Sequence, residues 1–230
     1  MKSIKYPGKD LIELLYKKKT LTMAQMINVM GCSKMTVVRI LRSHQHGYLT
    51  SYNFNARYYT LVDIPEFDKY GLWTFADVLF SKYCSLTNTI TQVVCHSPKG
   101  LEKKELEEIL SVKIDLATIL PKLLQQGCIN KKRLRATDFY FNPNNEEMEK
   151  QIKKREKEAQ EKIKLLLPEP ERILAVLVDI IQHPRPPQHS KSQIFHIYLR
   201  LSEKGIRISM DEIDAIFFYY DLKKKKRLKY

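Results

Sequence analysis

The sequence predicts a mainly α chain with small β hairpins: two copies of one helical module, a charged linking helix and a helical C-terminal unit. Three observations carry this. Apolar residues recur at i, i+3, i+4 spacing along most of the chain, and short alternating, aromatic-rich runs come after two of the helix groups. Residues 87–142 repeat the order of elements read in residues 9–62. A stretch of interleaved Glu and Lys then precedes a last group of apolar helices. The boundaries fall at 1–65, 66–142, 143–167 and 168–230.

The first helix, about Lys9 to Lys17, presents Leu11, Leu14 and Leu15 on one side, to pack beneath the next two helices. The run Lys17, Lys18 and Lys19 suits a helix C-terminus and is either a solvated end or a phosphate contact. Thr22 to Arg42 reads as two short helices pinched at Gly31. Thr22 caps the first, whose Met23, Met26, Ile27 and Met30 recur at helical spacing. Gly31 suits a left-handed stop, which costs a Cβ-bearing residue more. Ser33 caps the second helix, where Val37, Ile40 and Leu41 face inward and Lys34, Thr36, Arg39 and Arg42 face out. Such a helix, starting straight after a tight turn, is shaped to enter a major groove. Gly47 ends it, and Tyr48 to Asn53 and Arg57 to Leu61 alternate as strands, with Asn55 suited to a left-handed turn between them.

The runs SKMTVVRILRSHQHGYLTSYN and RYYTL, in this order, resemble the winged helix-turn-helix domains of bacterial and archaeal transcription regulators, over about Lys9 to Val62. The resemblance speaks for the fold and says little about which operator. Base edges fall to Lys34, Thr36 and Arg39, phosphates to Ser33 and Arg42, and the backbone or minor groove to Arg57. A packed helical hairpin with no groove to read is the plainer alternative.

Asp63 to Gly71 reads as a connector. Trp73, Phe75, Val78, Leu79, Phe80 and Tyr83 are expected to pack the first module against the next, with an exposed base-stacking platform as the alternative. The second module has helices over Thr89 to His96, Leu101 to Leu110 and Val112 to Gln126, and a wing from Ile129 to Leu134 and Asp138 to Phe141. It too resembles a winged helix. Pro121 should kink or end its third helix, and Glu102, Glu105, Glu107 and Glu108 would repel phosphates. Its basic residues are in the wing, at Lys131, Lys132, Arg133 and Arg135, so backbone contact or a protein partner through 87–142 is expected rather than base reading.

Asn144 to Leu167 reads as a solvent-bathed helix whose thin stripe of Met148, Ile152, Ala159, Ile163 and Leu166 is either a homodimer seam or the side of a helix resting on a domain. Helices over Glu171 to Gln182, Ser190 to Lys204 and Met210 to Tyr220 come next, the last capped by Ser209. Gly205 and the GIRIS linker resemble a transposase-type helix-turn-helix, with Ile206, Ile208, Ile213, Ile216 and Phe217 as core. Lys223, Lys224, Lys225, Lys226 and Arg227 beyond it can grip phosphates, or serve solubility alone.

The net charge of +14 favours a polyanion: nucleic acid first, an anionic membrane surface second. Residues 1–65 hold ten Lys/Arg against three Asp/Glu, so the excess lies with the groove-reading helix. No apolar leader or membrane-length run is present, and a cytoplasmic, nucleoid-associated protein is expected. Cys32, Cys84, Cys95 and Cys128 read as small buried hydrophobes. A zinc site from Cys84, Cys95, His96 and Cys128 fits no usual spacing. His44 and His46 suit a helix end without a metal. No P-loop, dinucleotide fingerprint or nucleophile triad appears, so neither an enzyme nor a cofactor is expected. The expectation is a sequence-specific double-stranded DNA-binding protein, a transcription regulator or mobile-element accessory factor. A protein-interaction scaffold and an RNA-binding protein are the alternatives.

Overall fold

The computed structural model describes residues 8–43, 45, 47–111, 116–134, 137–183 and 191–222. The chain divides into two compact units, Met1–Ile152 and Lys153–Tyr230.

The first unit begins with α1 (Gly8–Lys18), β1 (Leu21–Thr22), α2 (Met23–Met30), α3 (Lys34–Ser43), β2 (Tyr48–Thr50) and β3 (Tyr58–Leu61). The three strands form an antiparallel sheet in the order β1-β3-β2, which is the winged-helix arrangement. Leu11 and Leu15 of α1 pack beneath Met26, Val37 and Leu41, all fully buried. Thr22 and Gln25 close a capping box on α2, and Gly31 ends that helix at φ 59.

The aromatic stretch after the connector forms a two-stranded hairpin, β4 (Leu72–Phe75) and β5 (Val78–Ser81), turned by Ala76 and Asp77 at φ 46 and 66. Neither residue is Gly or Asn, so the turn carries no strong sequence signal. Period-2 alternation sends Val78 and Phe80 against Leu49 and Tyr58 of the first module, and Leu79 into the core of the second. The hairpin therefore joins two modules, with Trp73 and Phe80 on the side of the first and Leu72 and Leu79 on the side of the second.

The second module repeats the first: α4 (Leu86–His96), β6 (Leu101–Glu102), α5 (Lys103–Leu110), a 3-10 turn (Leu116–Thr118), α6 (Leu120–Gln125), β7 (Asn130–Leu134) and β8 (Thr137–Phe141). Its sheet order, β6-β8-β7, matches that of the first module. The box of Glu102 with Glu105 stands where Thr22 and Gln25 stand, and Ser111 at φ 51 stands where Gly31 does. The single third helix expected over Val112 to Gln126 is not what forms. Residues 112–115 lie outside the described residues, and α6 starts only at Leu120 with Pro121 in its first turn. There proline's missing N–H costs nothing, because that donor has no intrahelical acceptor.

The charged helix α7 (Asn145–Leu166) starts within the first unit. Gln151 is buried: it donates to the carbonyls of Val94 and Ser97 and accepts from the Asn142 amide. Ile152 is buried beside it, so the first part of the apolar stripe is used inside the unit. Leu165 and Leu166 are exposed.

The second unit contains α8 (Pro170–Gln182), α9 (Lys191–Glu203) and α10 (Met210–Tyr219), packed around Val176, Ile197, Leu201, Ile213 and Ile216. Ile208 and Phe217 are buried as expected and Ile206 lies partly covered. Asp179, fully buried on α8, accepts from Arg200 Nε at 3.0 Å and from its Nη2 at 2.6 Å. Among the described residues no helix is long and apolar enough to cross a membrane.

Candidate nucleic-acid interface

The geometry of α3 stems from its two ends. Ser33 accepts from the Thr36 amide at 3.3 Å, which starts the helix straight after the Gly31 turn. Its hydroxyl also pairs with the Thr36 hydroxyl at 3.1 Å. Both groups are thus engaged by the cap, and Thr36 is half-buried, so any base contact from it competes with the cap. Gly8 of α1 lies against Ile40, setting α3 on the core by its inner side.

Outward, Met35, Arg39 and Arg42 stand at i, i+4 and i+7 and share one ridge of the helix. Arg39 and Arg42 are exposed, and Met35 is 77% exposed. Lys34 is exposed in the first turn. Among the described residues, Lys34, Arg39 and Arg42 form no salt bridge, so no internal carboxylate competes with an external anion for them. Sequence reasoning does not single out Met35. Its one signal is its place between Lys34 and Thr36, off the inward set of Val37, Ile40 and Leu41.

The wing adds a second group. Phe54, Asn55 and Ala56 all take left-handed φ, at 50, 56 and 55. Only Asn55 is expected to do so from sequence, and a left-handed L-residue costs about 1–2 kcal/mol. The conformation is imposed from beneath. Asn53 donates to the Asp77 carbonyl at 2.8 Å and accepts from the Leu79 amide at 3.0 Å, tying the wing to the β4–β5 turn. Beyond this clamp, Phe54 is 52% exposed and meets Tyr58 edge-on at 5.8 Å. Arg57, just outside β3, is exposed.

The other predicted contacts differ in quality. Lys131 is exposed but is held by Asp138 at 2.7 Å; that hydrogen bond raises the Lys131 pKa and lowers the Asp138 pKa. Lys132 and Arg133 are exposed on the same strand, Arg133 standing opposite Asp138. In α5, Glu107 pairs with Lys103 at 3.6 Å and Glu108 is exposed, so the acidic character expected of this module is retained. In the second unit, Ser209 caps α10 as expected, but the helix carries Asp211, Glu212 and Asp214 and no cation. Arg135, Lys223, Lys224, Lys225, Lys226, Arg227, His44 and His46 lie outside the described residues.

One cysteine departs from the buried reading: Cys84 is exposed, because it lies at φ 70 in the turn leaving β5. Cys32 is buried, and Cys95 and Cys128 are half-buried. No family model, curated protein or solved structure matches this chain.

Proposed function

We propose that the chain is a double-stranded DNA-binding protein that places α3 in the major groove and the first wing against the backbone or minor groove. The exposed Met35–Arg39–Arg42 ridge, without a carboxylate partner among the described residues, carries this reading. Arg39 is suited to a bidentate contact with a guanine edge, Met35 to a thymine methyl, and Lys34, Arg42 and Arg57 to phosphates. Phe54 offers an apolar face beside them, of the kind that rests against sugars or base steps. The role is non-catalytic, as transcription regulator or mobile-element accessory factor. The acidic α5 and the paired Lys131 favour a supporting part for the second module, in backbone or protein contact.

The test is a duplex titration at two salt concentrations, with selection of bound sequences afterwards. Three neutralised phosphates imply a fall in affinity of roughly 40-fold between about 50 and 200 mM salt. Arg39→Ala should cost about 1–3 kcal/mol on the selected site and relax its sequence preference. Equal weakening on every duplex would reduce Arg39 to a phosphate anchor. An absence of duplex binding at low salt would overturn the proposal.

A further inference from the structure

A cavity of 390 Å³ lies in the first unit where the base of the β4–β5 hairpin meets the end of α4. Its walls include Lys69, Tyr70, Lys82, Tyr83, Gln92 and His96. No Asp or Glu is among the described residues that line it. The Asp68 carboxylate, next in the chain to Lys69, accepts from the amides of Tyr70 and Leu72, both at 2.8 Å.

Each of the two exposed ammonium groups lies over the ring of the tyrosine next to it in the chain. Lys69 Nζ sits 4.9 Å from the Tyr70 ring centre and Lys82 Nζ 5.0 Å from that of Tyr83. The Lys82 stem crosses the backbone at Gly71, where a Cβ would come within 2.5 Å of its Cε. His96 Nδ1 donates to the Gln92 carbonyl at 2.8 Å, so in the neutral ring Nε2 carries the lone pair and accepts from a ligand N–H or O–H.

A helix C-terminus ordinarily repels anions through its unpaired carbonyls. At the end of α4 three of the last four carbonyls have donors: Val93 from the Ser97 amide, Val94 from Gln151 and Cys95 from Asn142. Two cations therefore face a space in which most of those carbonyls are already engaged. The volume exceeds what a bare phosphate needs and lies in the range of small-molecule sites.

We propose that this pocket binds a nucleotide, its phosphate held by Lys69 and Lys82 and its base against the tyrosine walls. The nucleotide is either free or the terminal residue of a strand. This site does not depend on α3, since its probes contain no duplex.

Calorimetric titration of the full chain with adenosine 5′-monophosphate, inorganic phosphate and a short oligothymidylate with or without a 5′-phosphate tests the proposal. Saturable binding of the monophosphate or of the 5′-phosphorylated strand is expected. A Lys69→Gln/Lys82→Gln double variant should weaken it at least tenfold, and Arg39→Ala less than twofold. Monophosphate binding equal to that of the phosphorylated strand assigns the free nucleotide. A preference of fivefold or more for the phosphorylated strand over both the monophosphate and the hydroxyl strand assigns a strand end. The proposal is overturned if no probe saturates, if inorganic phosphate binds as tightly as the nucleotide, or if Arg39→Ala weakens binding as much as the double variant.

Discussion

Tyr52 is the residue on which the joint between the two winged-helix modules can be tested most sharply. It leaves the first wing, receives the chain of β5 through its amide at 2.9 Å to the Leu79 carbonyl, and reaches the second module's core. There its hydroxyl donates to the carbonyl of Leu110, the last residue of α5, at 2.9 Å. Tyr52→Phe keeps the ring and removes that donor, leaving a buried carbonyl without its partner. Such a loss costs about 1–2 kcal/mol, which for a unit of this size lowers Tm by about 2–8 °C. Urea unfolding monitored by the fluorescence of Trp73, the sole tryptophan, reads the effect directly, since Trp73 lies on the hairpin that Tyr52 pairs with.

A second readout separates the hydroxyl from general damage. Burial, with the Asp68 carboxylate adding to it, pushes the Tyr52 phenol above its ordinary value of about 10. A group raised in the folded state contributes stability that is whole below its unfolded pKa and is lost as pH climbs toward the folded one. The gap between the wild-type chain and Tyr52→Phe should therefore narrow above about pH 10. Tyr16 and Tyr59 are also raised, but they are common to both chains and drop out of the difference. A stability change under about 0.3 kcal/mol at neutral pH, or a gap that stays constant into alkali, would refute the reasoning.

Gly100→Ala and Gly31→Ala make a paired test of positive-φ glycines. Both sit in left-handed backbone, but a Cβ at Gly31 meets nothing within 4 Å, whereas at Gly100 it would come within 2.4 Å of the Phe141 ring. The first should cost about 1 kcal/mol and the second over about 3 kcal/mol, by chemical denaturation; equal costs would show that the rigid Phe141 ring moves aside. Arg200→Met should destabilise the second unit by about 3 kcal/mol, because Asp179 stays fully buried with, among the described residues, His183 at 3.5 Å and Lys204 at 4.0 Å nearby. Far-UV circular dichroism against urea checks it, and an unchanged midpoint would mean that Lys204 and the His183 ring replace the guanidinium.

Much of the candidate interface is legible along the chain because its determinants are local. The Thr22 box, the Gly31 stop, the Ser33 cap and the 3.6-residue spacing of Val37, Ile40 and Leu41 all act within a few residues, and the exposure of Arg39 and Arg42 comes from that spacing. Met35 escapes such a reading because an apolar side chain on an open face looks like core until the core is seen. The β4–β5 hairpin is hidden for a related reason. Its turn is made by Ala76 and Asp77, whose left-handed φ is held by neighbours and not by their own preference.

Local patterning by itself determined the order of helices and wings, their caps and stops, and the cationic outer side of α3, since these depend on interactions reaching no further than a turn or a strand pair. Only the tertiary structure decided which distant groups meet. It set Asn53 on the β4–β5 turn, Tyr52 on α5, Gln151 on the end of α4, and Lys69 and Lys82 around one cavity. Those contacts close loops of tens of residues, and nothing in the spacing along the chain favours one such closure over another; they form where buried polar groups find partners as the apolar faces pack.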